Sequence, residues 1–109
     1  MSYYIAQNQT GPLPQKYPFE LPITGDVTIA FSGTCWSNNP GFAGVNVYLD
    51  GNLLGDVPLF FNNVSQHLAL PASFFPVDLG PGPHTITLEA LTNNTITDTN
   101  DIFSLWIID

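Results

Sequence analysis

From Phe19 onward, apolar residues recur at every second position in short runs, and no stretch of ten or more residues shows the 3.6-residue period of a helix. In 26–32, Val27, Ile29 and Phe31 share one face while Asp26, Thr28 and Ser32 take the other. In 45–50, Val45, Val47 and Leu49 point one way. In 84–91, Ile86, Leu88 and Ala90 alternate with Thr85, Thr87 and Glu89. Successive side chains on a strand project to opposite faces, so this period predicts half-buried strands. Asp50-Gly51 between two such runs predicts a two-residue hairpin turn, because both central residues need positive φ. The returning strand is 52–57, stopped by Pro58, and short strands follow at 59–61 and 67–70. The 71–76 segment reads as a loop or one helical turn, and 102–108 is the last strand. Six to eight short strands punctuated by Gly, Pro and Asn predict an all-β chain, an antiparallel β-sandwich of jelly-roll or immunoglobulin-like type.

Two segments depart from simple alternation. Residues 1–18 carry Pro12, Pro14 and Pro18 and no apolar alternation beyond Tyr3-Tyr4-Ile5. Proline fixes φ and removes a backbone donor, so 1–18 is expected to be an extended N-terminal arm ahead of a sandwich domain at 19–109. The arm either covers its own domain or reaches a neighbouring subunit. The last strand is apolar on both faces, since Phe103, Leu105 and Ile107 alternate with Ser104, Trp106 and Ile108. A strand wet on one side does not carry Trp106 and Ile108 there, so its second face is expected to be covered, by the arm or by another copy.

The charge pattern removes whole classes of function. The 109 residues hold one cation, Lys16, against nine acidic groups, for a net charge of −8. Nucleic-acid binding needs Lys and Arg to neutralise phosphates, and attachment to anionic lipid needs them too. Nothing approaches the roughly 18 consecutive apolar residues of a membrane span. The first residues lack the basic and apolar regions of a secretory leader. Export by another route and retention inside the cell both stay open, with an extracellular or cell-surface setting favoured. A single Cys35 excludes an internal disulfide and reads as a buried thiol.

Outward positions are mainly Thr, Ser, Asn, Gln and aromatic groups. Such a surface makes neutral hydrogen bonds and flat ring contacts, which suits a sugar's hydroxyls and C–H faces. It also suits a closely packed assembly, where unpaired charge is costly to bury. Trp36, at the start of the 36–42 Gly/Asn/Pro loop with Asn38 and Asn39, either stacks on a sugar ring or plugs the end of the core. Tyr48 is a flat platform or ordinary cross-strand packing. The 92–101 loop concentrates oxygen groups, with Asp98, Asn100 and Asp101 within four residues. These are candidate carbohydrate contacts and candidate ligands of a hard cation such as calcium, or Asx turns satisfying their own backbone. The EF-hand spacing is absent. No nucleophile elbow, zinc-protease or phosphate-loop motif occurs, and His67 and His84 both follow turn residues, so catalysis is not expected. Asn8, Asn63 and Asn93 match the glycosylation pattern, as chance allows in a chain rich in Asn and Thr.

Thr97-Asp-Thr-Asn-Asp101 followed by a final apolar strand resembles the acidic loop of small bacterial calcium-dependent lectins of the LecB type, and Phe19-Glu-Leu-Pro22 is similar to their start. That resemblance implies a β-sandwich binding sugar hydroxyls through calcium at Asp98, Asn100 and Asp101. The chain departs from it at Asn93, Asn94 and Ile96, where that family has further acidic groups, and at Asp109, where it has glycine. Pro83-His-Thr-Ile-Thr-Leu-Glu-Ala90 is similar to the penultimate strand of many carbohydrate-binding-module and adhesion-type sandwiches. The expectation is therefore a non-catalytic, lectin-like sandwich that binds glycans, made multivalent as a homo-oligomer. The alternative is an assembly subunit of a fibre, capsid or appendage, joined through the arm and the last strand.

Overall fold

The computed structural model describes residues 2–21 and 25–108; Pro22 and Asp109, which enter the lectin resemblance, lie outside them. Ten strands are present, with no helix among the described residues: β1 (Ser2–Thr10), β2 (Gln15–Leu21), β3 (Gly25–Ser37), β4 (Gly41–Leu49), β5 (Asn52–Phe61), β6 (Leu68–Ala69), β7 (Ser73–Leu79), β8 (Gly82–Ala90), β9 (Thr95–Ile96) and β10 (Ile102–Ile108). They form two antiparallel sheets. The first runs β1-β10-β3, with β7, β6 and β9 pairing successive stretches of the long β3. The second runs β2-β8-β4-β5.

The core lies between the sheets and is built from the alternate residues that the sequence pattern selects. Ile29, Phe31, Phe103, Leu105 and Ile107 meet Val45, Val47, Val57, Phe61, Ile86 and Leu88, all buried. Cys35 lies in this core, and burial pushes its thiol up to about 12, with the Asp101 carboxylate adding to the shift. The Asp50-Gly51 turn joins β4 to β5 with φ of 50° and 84° at its two central residues. Gly44 sits where β5 crosses closest, since a Cβ there would lie 2.0 Å from the Val57 carbonyl oxygen.

Several expectations change. The extended N-terminal segment is paired within its own chain. β1 adds to β10 at the edge of the first sheet, and β2, which runs across residues 18 and 19, adds to β8 at the edge of the second. Ile5, Leu13, Tyr17 and Phe19 pack on the core. Pro12 and Pro14 fall in the link between the sheets, and Pro18 sits on an edge strand, where no ladder donor is missed. The same reason lets β5 continue through Pro58 and β7 through Pro76, where the sequence suggests a stop and a loop. Pro83 lies in the part of β8 beyond its pairing with β4. Ala90 keeps the inward register opposite Val45 but is exposed, as the last residue of β8. Trp106 and Ile108 face outward on the first sheet, where Tyr4 packs against Trp106 with ring centroids 6.2 Å apart.

Candidate functional site

The site stands at the end of the first sheet, where β3 outruns its partner β10. Thr34 and Trp36 project from the outward side of β3, alternating with buried Gly33, Cys35 and Ser37. The 97–101 loop arrives from β9, and His67 precedes β6. The link between β1 and β2 pins the loop from the other side: Gly11 donates its N–H to the Asp101 carbonyl (3.0 Å), and Leu13 donates to Thr97 Oγ1 (2.8 Å).

Asp101 organises the cluster. Its side chain is fully buried and accepts three hydrogen bonds: from the Thr34 hydroxyl (2.9 Å) and His67 Nδ1 (2.7 Å) at Oδ1, and from the Asp98 N–H (2.9 Å) at Oδ2. Asp98 Oδ1 accepts the Asn100 N–H (2.8 Å), and Asp98 Oδ2 accepts the Trp36 indole N–H (3.3 Å). Trp36 is half-buried, stands outside the hydrophobic core, and tilts against the His67 ring at 6.0 Å. His67 Nε2 lies 4.0 Å from Asp98 Oδ2. The hydrogen bond to Asp101 raises the pKa of His67, and the Asp101 and Asp98 charges add to the rise against some desolvation.

Trp36 and Asp98, singled out on different loops, are thus in direct contact. Asn38 donates its N–H to the Asn94 carbonyl (3.1 Å), and the exposed Asn39 amide reaches Asn94 Oδ1 (3.4 Å). So the 36–42 and 92–101 loops form one end of the molecule. Asn100 contributes its backbone N–H, and its side chain is exposed. Sequence reasoning missed the parts played by His67 and Thr34. Nothing local marks either one, since each meets Asp101 only through the fold, from 34 and 67 residues away.

One ligand atom from each of His67, Asp98 and Asp101 lies within 4.8 Å of the others. Every carboxylate oxygen of the two aspartates already accepts a hydrogen bond, so a cation here has to share or displace those donors. The oxygen set suits a hard ion and His67 a borderline one. The loop closes through its own Asx turns without either.

The second histidine is structural. His84 Nδ1 meets Asp50 Oδ2 (2.7 Å) and Nε2 meets the Gly80 carbonyl (2.8 Å), tying the β4–β5 turn to β8. The Asp50 bond, then the Gly80 bond, raise its pKa.

No family model matches the chain, and no curated protein matches its sequence. Solved structures match its fold. It aligns with a family 35 carbohydrate binding module from an environmental isolate with a TM-score of 0.59 and 13% identity, over 97% of this chain and 72% of that one. It aligns with the CBM36-1 domain of a multidomain xylanase from the hindgut metagenome of Trinervitermes trinervoides with a TM-score of 0.53 and 18% identity, over 100% and 96%. It aligns with part of dimeric latent PorU from Porphyromonas gingivalis with a TM-score of 0.62 and 11% identity, over 99% of this chain, which spans 12% of that one. At these identities the likeness is one of fold.

Proposed function

We propose that this chain is a carbohydrate-binding β-sandwich that holds glycans without transforming them, at the end built from Trp36, Asn38, Asn39, Asp98, Asn100 and Asp101. One observation carries the reading. The half-exposed indole of Trp36 is held by its N–H on Asp98 and tilts against the exposed His67, and the two loops that meet at this end carry the exposed Asn39 and Asn100, so an aromatic ring and hydrogen-bonding groups share one end of the molecule. That pairing is what sugar recognition requires. The two carbohydrate-binding modules of like fold support it. The non-catalytic part of the reading rests on those two modules of like fold and accords with where the reactive groups sit. His67 faces two carboxylates, Cys35 is buried in the core, and His84 bonds Asp50 and Gly80.

Calcium at Asp98, Asn100 and Asp101, as in the LecB-type lectins, is a separable part of this proposal, and so are multivalency through a homo-oligomer and a place outside the cell. A glycan array and affinity gel electrophoresis test the core reading: binding that Trp36→Ala abolishes supports it, and binding unaffected by that change refutes the site. Loss of binding in a chelator and in Asp98→Ala supports the ion; binding unchanged in the chelator discards it. Solution mass decides the oligomer. The second reading, an assembly subunit, is favoured by one observation: β1 is an edge strand whose backbone ladder runs to β10 alone, so it could be exchanged between copies. Filaments or closed particles in negative stain, with no glycan bound, select it.

A further inference from the structure

Resting on the homo-oligomer part of the reading above, we propose that the start of β1, Ser2 to Ile5, pairs its free edge with the same segment of a second copy, antiparallel about a two-fold axis, so that the first sheets of two chains join into one. The open edges of the two sheets are not alike. β2, β5 and β7 are edge strands, and each holds a proline and at least one charged residue: Pro18 with Lys16 and Glu20, Pro58 with Asp56, and Pro76 with Asp78. Proline and charge keep a further strand off an open ladder. β1 holds neither in its nine residues, and neither does β10 beside it. The second half of β1 closes its own edge. Its register shifts between Tyr4 and Ala6 and again between Ala6 and Gln9, and Asn8 has a φ of 50°. There the Gln7 carbonyl accepts Gln9 Nε2 (3.1 Å) and the Thr10 carbonyl accepts Gln15 Nε2. Ahead of the shifts, Ser2, Tyr3 and Tyr4 pair with Ile108, Ile107 and Trp106 in unbroken register, and no other strand pairs with them among the described residues.

The side chains at this edge are apolar and uncovered. Tyr3 stands in register with buried Ile107, so it faces the inside of the sandwich, yet it is 36% exposed; an added strand covers it. Tyr4 is 55% exposed beside Trp106, and a two-fold pairing sets the Tyr4 rings of both copies on the face that carries Trp106. Charge selects the occupant. A cationic partner gains by meeting carboxylates, and the other three edges offer them at Glu20, Asp56 and Asp78. An edge stripped of charge suits a partner of the same sign, which every carboxylate facing it would repel. A second copy, itself at −8, is that partner, and β1 beside β10 is where two copies meet without carboxylate opposing carboxylate. The pairing is isologous and consumes both edges, so it stops at a dimer. Trp36 lies roughly 20 Å along β3 from Ala30, the partner of Trp106, so the joint leaves the glycan end of each copy free.

The test is sedimentation equilibrium of the full chain, without glycan, over a wide range of concentration at about 0.01 M and 1 M salt, where charges are screened beyond about 30 Å and 3 Å. The expected result is a monomer–dimer equilibrium whose dissociation constant falls at least about tenfold in the higher salt, as repulsion between like-charged copies is screened. Tyr4→Glu puts a carboxylate on the bare edge of both copies and should weaken the low-salt dimer at least about tenfold. Tyr4 is exposed, so the variant keeps the fold, as its thermal midpoint at monomeric concentration will confirm. Phe74→Glu, on β7 at the opposite edge of the sheet, should leave the dimer intact. A monomer at every concentration in both salts overturns the proposal. So does a dimer that Tyr4→Glu leaves unchanged, as an exchanged dimer would be, because there β1 keeps the partners it has in the monomer. A dimer that salt loosens overturns the charge selection of a second copy. Affinity electrophoresis in mixed-linkage β-glucan and galactomannan gels scores the glycan reading apart from this: a retarded monomer sinks the edge contact alone, and an unretarded dimer sinks the glycan site alone.

Discussion

Replacing Asp101 with alanine removes the acceptor that gathers β3, the segment before β6 and the last loop. Three donors lose their partner: the Thr34 hydroxyl, the Asp98 N–H and His67 Nδ1. His67 is exposed, so its nitrogen regains water at little cost. The Asp98 N–H and the Thr34 hydroxyl are part-buried, and a hydrogen bond to a charged acceptor contributes about 1.5–3 kcal/mol. Two such losses, eased by loop relaxation, come to about 2–4 kcal/mol. Urea unfolding at neutral pH should show that loss as a lower midpoint with an unchanged slope. Asp101→Asn keeps the shape and one acceptor and should cost about 1–2 kcal/mol. In the wild type, His67 should titrate above its ordinary value by proton NMR, and Asp101→Ala should bring it down. The sign of the linkage follows. The raised His67 pKa makes its contribution full below the unfolded value, near 6.5, and lost as pH rises through the folded value. A loss below about 0.5 kcal/mol in Asp101→Ala, within the range of an ordinary surface substitution, together with an unmoved His67 titration, would refute this account of the cluster.

Further expectations concern other parts of the molecule. At the β4–β5 turn, desolvation raises the Asp50 carboxyl, but the hydrogen bonds from His84 and from the Thr85 N–H outweigh it and hold the pKa below the usual value, while His84 is raised. The pairing should therefore fade as pH falls through the lowered Asp50 value or rises through the raised His84 value, and Asp50→Asn should lower the His84 titration seen by NMR. Cys35 should resist thiol reagents in the native protein and react at the unfolding rate or the local opening rate in denaturant, because the thiol is buried and pushed up to about 12. Gly44→Ala should cost about 3 kcal/mol or lose the fold, as its Cβ would meet the Val57 carbonyl oxygen at 2.0 Å, and thermal unfolding reads this directly.

The features legible in the sequence are those with a local cause. Val45, Val47 and Leu49 alternate because one face is buried, and Asp50-Gly51 turns because both residues accept positive φ. The strands at Pro58 and Pro76 were not legible, because proline's missing donor matters only when a neighbouring strand needs it, and which strands lie at an edge is a property of the whole sheet. The N-terminal residues read as an extended arm for the same reason. In the site, the concentration of Asp98, Asn100 and Asp101 is visible in one decapeptide, and so is Trp36 beside its asparagines. Their contact is not, because it depends on β3 and the 97–101 loop ending side by side. His67 and Thr34 carry no mark at all until Asp101 draws them together.

The central claim is that Trp36 and the groups fixed around it hold a glycan. Affinity electrophoresis of wild type and Trp36→Ala, side by side in gels containing neutral polysaccharide, tests it most directly. Retardation of the wild type and free migration of a folded Trp36→Ala is the expected result. Equal migration of the two in every gel contradicts the claim.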